Sequence, residues 1–552
     1  MNTARLHLVL LALVGFLVGC ASHRDASGPP STGRLHRLGH HTFPVTTRSP
    51  EAQRTFDRGL TLAYAFSHRA AEEEFRRAAV ADPECAMAWW GVALVNGPHI
   101  NFPAVPQDHA QIAWDALTRA KALAPQAGEL ERALIGALEK RYANPQPEDR
   151  ASLDNAYAAA MVEVWRTYPK IADVGTLCAE ALMDLHPWDL WEPSGEPKPW
   201  TLEIVTALEQ ALKLDPQNPG AAHLYIHAVE ASAHPERALA AADRLGRLVP
   251  EASHLVHMPS HIYVRVGRWA EAARANERAM KADVVYRATF PRPGFYGMYM
   301  AHNTHFLAYT AMMRGNGAEA IRLARDMVGS VPEDFLRDFA PVADGFMIFV
   351  SEALMRFGRW EEILAEPPPR PGLPLSLALW HFTRAVALTA IDRPEEARRE
   401  RVAFQAASAV VPKGWTFGNN SAAALLDIAA DVLDGEMAAK AGNFDEAIAR
   451  LRAAVRIEDA LIYDEPPGWM QPVRHTLGAV LLRVGRAAEA ETVYREDLAT
   501  YPENGWSLFG LSRALAKQGK DAEARKAERR FQKAWTHADL KLVSTCLCQP
   551  AN

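Results

Sequence analysis

Between His223 and His305 the chain reads HLYIHAVE, then HLVHMPSHIY, then AHNTHFLAYT. With His234 between the first two segments, this stretch holds eight of the twenty histidines in 83 of 552 residues. The spacing inside each segment is helical. His223, His227 and Glu230 are offset by four and seven residues, and His254, His257 and His261 by three and seven. At about 100° per residue, each trio falls within an arc of roughly 60° on one helix face. Seven imidazoles in register beside acidic residues are costly to assemble as cations and natural as neutral metal ligands. Coordination of a transition metal is the chemistry this pattern can do.

The elements that must position these side chains follow from longer periods. His223 to His257 and His227 to His261 are each 34 residues, whereas His254 to His302 and His257 to His305 are each 48. The insert YRATFPRPGFYG accounts for the longer interval as about one helical turn plus a loop. Landmarks recur at the same period: Gly59, Ala71, Phe75, Ala78 and Pro83, then Trp90 and Gly91, and later Leu477, Gly478, Gly485, Ala490, Tyr494 and Pro502. Small residues at these places let two helices approach, a large ring fills the gap, and proline ends the second helix.

On these landmarks the chain resembles tetratricopeptide-repeat proteins over residues 51–538. Segments such as AMAWWG, HLVHMPSHIY and EPPGWMQPVRHTLG are similar to a group of bacterial members. The resemblance implies an all-α fold, an α-solenoid wound as a right-handed superhelix of about eleven to twelve helical hairpins. It also implies that the first helix of each repeat lines a concave groove, here His-rich over residues 219–334. His254, His257 and His261 then take the second, fifth and ninth positions, and His302 and His305 the second and fifth. His223, His227 and Glu230 take the fifth, ninth and twelfth.

Neighbouring helices lie about 8–10 Å apart, so an i, i+4 pair on one can converge with a pair on the next. The expected quartet is His223, His227, His257 and His261, with Glu180 and Glu230 as carboxylate ligands or supports. Glu180 earns its place by register with His227 and His261, although with Asp184 it also forms an ordinary polar helix face. His254, His302 and His305 are left for a second ion or a substrate. Imidazole and carboxylate without thiolate suit zinc, copper, iron or nickel. Phe295, Tyr296, Tyr299 and Tyr309 could shape a pocket beside them. No motif names a reaction, so catalysis is left open. The competing reading is a scaffold that binds a peptide, protein or small molecule in the groove, with Trp469, Arg474, His475 and Trp506 among its contacts.

A formal charge of −6 without a basic block argues against nucleic acid as a partner. Residues 1–20 read as a signal peptide, and Leu17-Val18-Gly19-Cys20 resembles the bacterial lipobox, which implies lipidation of Cys20 and a bilayer anchor. Ala21 after the cysteine implies the outer membrane in a Gram-negative envelope. Residues 21–50, rich in Ser, Gly, Pro and Thr, read as a flexible tether in which His36, His40 and His41 are solvated. Residues 539–552 read as a polar tail carrying Cys546 and Cys548. With Cys85 and Cys178 on helices some ninety residues apart, no disulfide pair is named.

Overall fold

Helical hairpins make up nearly all regular structure, and the landmark residues explain how they pair. The computed structural model describes residues 34–549, which fall into two units. The first comprises residues 34–262 and 277–300, the second residues 263–276 and 301–549. In the first unit, α1 (Pro50–Ala63) and α2 (His68–Ala81) form a hairpin, and α3 (Ala86–Val95) opens the next. The Phe75 ring of α2 presses on Gly59 of α1 and Gly91 of α3, where an added Cβ would stand 2.7 and 2.4 Å from ring carbons. Glycine is therefore needed for close approach at both places. Further along are α4 (Ala172–Met183), α5 (Pro219–Val229), α6 (Ser253–His257) and α7 (Pro259–Arg265), the last two separated at Met258. The insert is absorbed as expected: the helix Trp269–Thr289 extends to 21 residues.

The second unit repeats the packing rule. Its helices include α8 (Ala422–Lys440), α9 (Val473–Arg483), α10 (Ala487–Thr500) and α11 (Gly505–Lys517). The Tyr494 ring of α10 takes the place of Phe75, with an added Cβ at Gly478 or Gly510 falling 2.3 or 2.2 Å from it. Among the described residues the one sheet is a pair of two-residue strands, β1 (Thr416–Phe417) and β2 (Asn420–Ser421). The chain is thus an all-α array of tetratricopeptide-like hairpins. No described helix is long and apolar enough to cross a membrane.

Two segments expected to be solvated are packed. From Arg34 on, the presumed tether docks on the first hairpin: Leu35, Leu38, Phe43 and Val45 are buried. Its backbone is satisfied by side chains, Phe43 N–H donating to Asp57 (3.0 Å) and Val45 N–H to Gln53 (3.0 Å). Arg34 donates to the Glu74 carboxylate at 2.9 and 2.7 Å. Apolar residues spaced two to five apart within a polar composition are sufficient to anchor it. His41 is likewise not solvated, its Nε2 lying 2.9 Å from Asp173.

The C-terminal segment also folds back. Asp539 accepts from the Gly317 and Ala318 N–H groups at 2.7 and 2.8 Å, capping the helix Gly317–Ser330. Leu542, Thr545, Cys546, Cys548 and Gln549 are buried, and Cys546 is bonded to Cys548. Cys85 and Cys178 are buried free thiols. The signal segment and Cys20 lie outside the described residues.

Candidate metal centre

Local sequence explains why the histidine stripe faces inward. Asn218 caps α5 by accepting from Ala221 N–H (2.8 Å), Pro219 starts its first turn, and all eleven residues of the helix are buried. Gly220 allows the turn between α1 and α2 to close over it, since a Cβ there would stand 2.5 Å from the Tyr64 ring. Pro259 has no N–H to continue α6, so His254 and His257 ride on one short helix and His261 on the next.

Hydrogen bonds fix which nitrogen of three imidazoles carries the proton. His223 Nδ1 is 2.7 Å from the Tyr64 carbonyl oxygen, which can only accept. His227 Nδ1 is 2.9 Å from Glu230 Oε1, and His261 Nδ1 is 2.5 Å from Glu230 Oε2. All three therefore hold their proton on Nδ1 and present Nε2 as a lone pair, the arrangement by which carbonyls and carboxylates orient metal-binding imidazoles. His223 Nε2 lies 3.0 Å from His254 Nε2. Two imidazole nitrogens on one tetrahedral zinc-like ion would stand about 3.3 Å apart. His227 Nε2 is buried with no partner, an arrangement that costs about 1–3 kcal/mol unless something bonds the lone pair.

Ligand atoms of His223, His227 and His254 lie within 4.8 Å of one another, and so do those of His227, Glu230 and His261. The residues present thus fit a metal by donor type, by tautomer and by an orphaned lone pair.

Electrostatics favour the neutral ligands. Burial, reinforced by neighbouring histidines, holds His223 and His254 well below the ordinary imidazole range. Burial also lowers His227, with Glu230 pulling the other way. At Glu230, burial opposes ionisation but His261 and His227 outweigh it and hold the carboxyl down to about 2. A carboxylate that stays ionised in the interior is a permanent acceptor for two Nδ1–H groups.

Aromatic rings wall the centre, several unforeseen from sequence. Phe66 stands 4.6 Å from the His223 ring, 5.6 Å from His254 and 4.7 Å from His99. Trp188 lies edge-on to His227 at 5.1 Å and Tyr299 sits 4.5 Å from His254. Phe66 and Trp188 both adopt positive φ, 52° and 60°, where bulky residues are strained. Strain of this kind gathers at functional sites, and here two cases fall on one cluster. His68 and His99 extend it, their rings 4.5 Å apart and both depressed chiefly by burial. The GPHINFP context reads His99 as a loop histidine bonded to nearby backbone rather than one facing the groove, and Asn101 N–H does lie 3.4 Å from its Nδ1; His68 in HRAAEEEF is a single histidine without helical register.

The expected quartet is regrouped. His254 rather than His257 joins His223 and His227, because the helices meet at a 31-residue offset (His223 with His254, Glu230 with His261) instead of 34. His257 pairs with His261, Nε2 to Nε2 at 2.7 Å. Glu180 is in neither grouping; it is buried near Arg141 and Asp184, with burial raising both carboxyls against the guanidinium. The histidines are not groove-exposed either: His223, His227, His254, His257 and His261 are 0–6% accessible.

His302 and His305 belong to the second unit. His305 lies edge-on to Phe349 (4.5 Å) and Phe346 (5.5 Å), and burial holds it down to about 3. His302 is half-buried beside Phe306. His234 is exposed with Glu236 3.1 Å away. Of the further contact candidates, Trp506 is wholly buried under Arg356, and His475 lies between Arg356 and Asp497, 3.0 Å from each. Both are packing residues of the second unit, and Trp469 is buried as well.

No family model and no curated protein matches the chain. Among solved structures, a human IFIT1 dimer with PPP-AAAA is similar at 12% identity and TM-score 0.31, covering 86% of this chain and 89% of that one. The Cut9–Hcn1 hetero-tetramer of the APC/C is similar at 16% identity and TM-score 0.31, covering 84% and 76%. Naa15/Naa10 bound to HypK-THB follows at 12% identity and TM-score 0.24, covering 89% and 90%. Scores this low carry nothing toward this chain's ligand.

Proposed function

We propose that this helical-repeat scaffold houses a buried transition-metal centre in its first unit, held by His223, His227 and His254 through Nε2, with Glu230, His261 and the Tyr64 carbonyl orienting the imidazoles. The observation that carries the reading is the unpartnered, buried Nε2 of His227, on a ring whose other nitrogen is tied to an ionised carboxylate. A bound ion would supply positive charge and Lewis acidity at that point. The protein's own residues exclude water, fix the tautomers and keep the ligands neutral. Imidazole donors leave zinc, copper, iron and nickel as candidates.

The second reading, a scaffold for a peptide or protein partner without chemistry, is supported by the stacked hairpins, an architecture whose function lies in what lines it. It has less use for His223, His227, His254, His257 and His261 as contacts, since these five are buried. On either reading we place the chain at the bacterial envelope through Cys20, on the strength of the lipobox-like LVGC. Elemental analysis of the purified chain, and again after reconstitution with zinc, separates the two readings. Stoichiometric metal that is lost in His227→Ala and kept in His234→Ala supports the centre; no metal in the reconstituted wild type leaves the scaffold alone.

A further inference from the structure

The second unit holds a buried constellation that the metal centre does not use. Glu436 on α8 places Oε1 2.7 Å from Cys548 Sγ and 3.4 Å from Cys546 Sγ, and all three residues are buried. The carboxyl's other oxygen accepts from Gln549, and Thr476 also bonds it. A disulfide sulfur has no proton to give, so an ionised carboxylate would face two sulfurs and bond neither. A protonated carboxyl can donate to sulfur while the bond is intact, and two thiols can donate to the carboxylate once it is broken. One proton moving between oxygen and sulfur satisfies both states. The bond is also a poor structural staple, because a sequence separation of two closes too small a loop to constrain the unfolded chain much.

We infer that Cys546, Cys548 and Glu436 form a thiol–disulfide exchange site that accepts electrons from a dithiol reductant, with Glu436 as its proton carrier. One thiolate of the reductant attacks Cys548 Sγ, the residue being 8% exposed against 1% for Cys546. A sulfur–sulfur bond to the reductant forms and the Cys546–Cys548 bond breaks. The electron pair leaves on Cys546 Sγ, which takes the Glu436 proton. The reductant's second thiolate then attacks its own sulfur in the mixed disulfide. Cys548 leaves as thiolate and is protonated from water, and the Glu436 carboxylate then accepts from both thiols. Two electrons pass from the dithiol to the protein, and the reductant becomes a cyclic disulfide.

The test uses the full chain and dithiothreitol, with thiols counted by alkylation and mass spectrometry and each rate divided by the thiolate concentration. Burial holds the Glu436 carboxyl up to about 7. The corrected rate should therefore fall about 10-fold from pH 6 to pH 8 as the proton is lost, and Glu436→Gln should flatten the profile. A wild-type bond that resists the native-state reaction overturns the assignment, as does an unchanged slope in the variant. Should the variant fail to fold, the wild type is compared with the urea-unfolded chain, where no carboxyl is held against the sulfurs. Matching profiles then overturn it and a slope confined to the folded protein supports it.

Discussion

Glu230→Gln is the sharpest perturbation of the proposed centre, because it keeps shape and removes a single property. The carboxylate accepts from His227 Nδ1 at 2.9 Å and from His261 Nδ1 at 2.5 Å. An amide offers one acceptor oxygen and one donor NH2, so one of the two Nδ1–H groups meets a donor. Where that ring is His227, its proton must shift to Nε2, which removes a lone pair directed at the ion; where it is His261, His227 keeps only the weaker hydrogen bond to a neutral amide oxygen in place of the carboxylate. Loss of such a supporting partner weakens metal affinity by about 10–100-fold, or about 1.4–2.8 kcal/mol. Competition with a chromophoric chelator for zinc at neutral pH reads this directly, and stoichiometry should be unchanged. Glu180→Gln serves as control, since Glu180 is in neither ligand grouping, and should leave the affinity alone. If Glu230→Gln binds zinc as the wild type does, or the two variants weaken it equally, the tautomer reasoning is wrong.

Three more expectations follow, two from the structure and one from the sequence. Burial holds His68 and His305 down to about 3, so between about 6.5 and 3 the unfolded chain binds protons that the folded one refuses. Stability of the metal-free protein should fall with pH across that window by up to about 1.4 kcal/mol per pH unit for each such histidine; urea midpoints that do not drop between pH 7 and pH 5.5 would contradict this. Phe75→Ala empties the space between Gly59 and Gly91 and should cost about 3–5 kcal/mol in denaturant titration, and a loss under about 1 kcal/mol would mean the hairpin packing is misread. Cys20→Ser should abolish lipid labelling and release the chain from the membrane fraction, and unchanged fractionation would remove the proposed anchor.

How much of this was legible beforehand depends on what a period encodes. Helical spacing fixes the face on which a side chain sits, and every residue of the two ligand groupings, His223, His227, Glu230, His254 and His261, was marked by that criterion. A repeat length of 34 also gave the hairpins, because the Gly, aromatic and Ala landmarks are a direct record of close helix approach. Neither period records axial stagger between adjacent helices. A shift of three residues, from 34 to 31, leaves the stripe on nearly the same face while moving contacts by most of a turn, and that is why His254 displaced His257. Burial was equally invisible: a polar stripe facing a groove and one facing a dry interior read the same, and only the Tyr64 turn folding over α5 decides between them.

The residues that sequence could not supply share a physical character. Phe66 and Trp188 act through backbone conformation, and nothing in YAFSH or HPWDL announces a positive φ at a bulky residue. Tyr64 contributes a carbonyl, a group every residue carries. The centre is therefore built from two kinds of information. Side-chain chemistry is written locally at helical spacing, while its confinement comes from turns whose strained geometry only the packed hairpins sustain. Each strained aromatic packs against the ring of a proposed ligand, Phe66 against His223 and Trp188 against His227. The cost of those conformations is thus spent at the very place where the His227 lone pair is left without a partner.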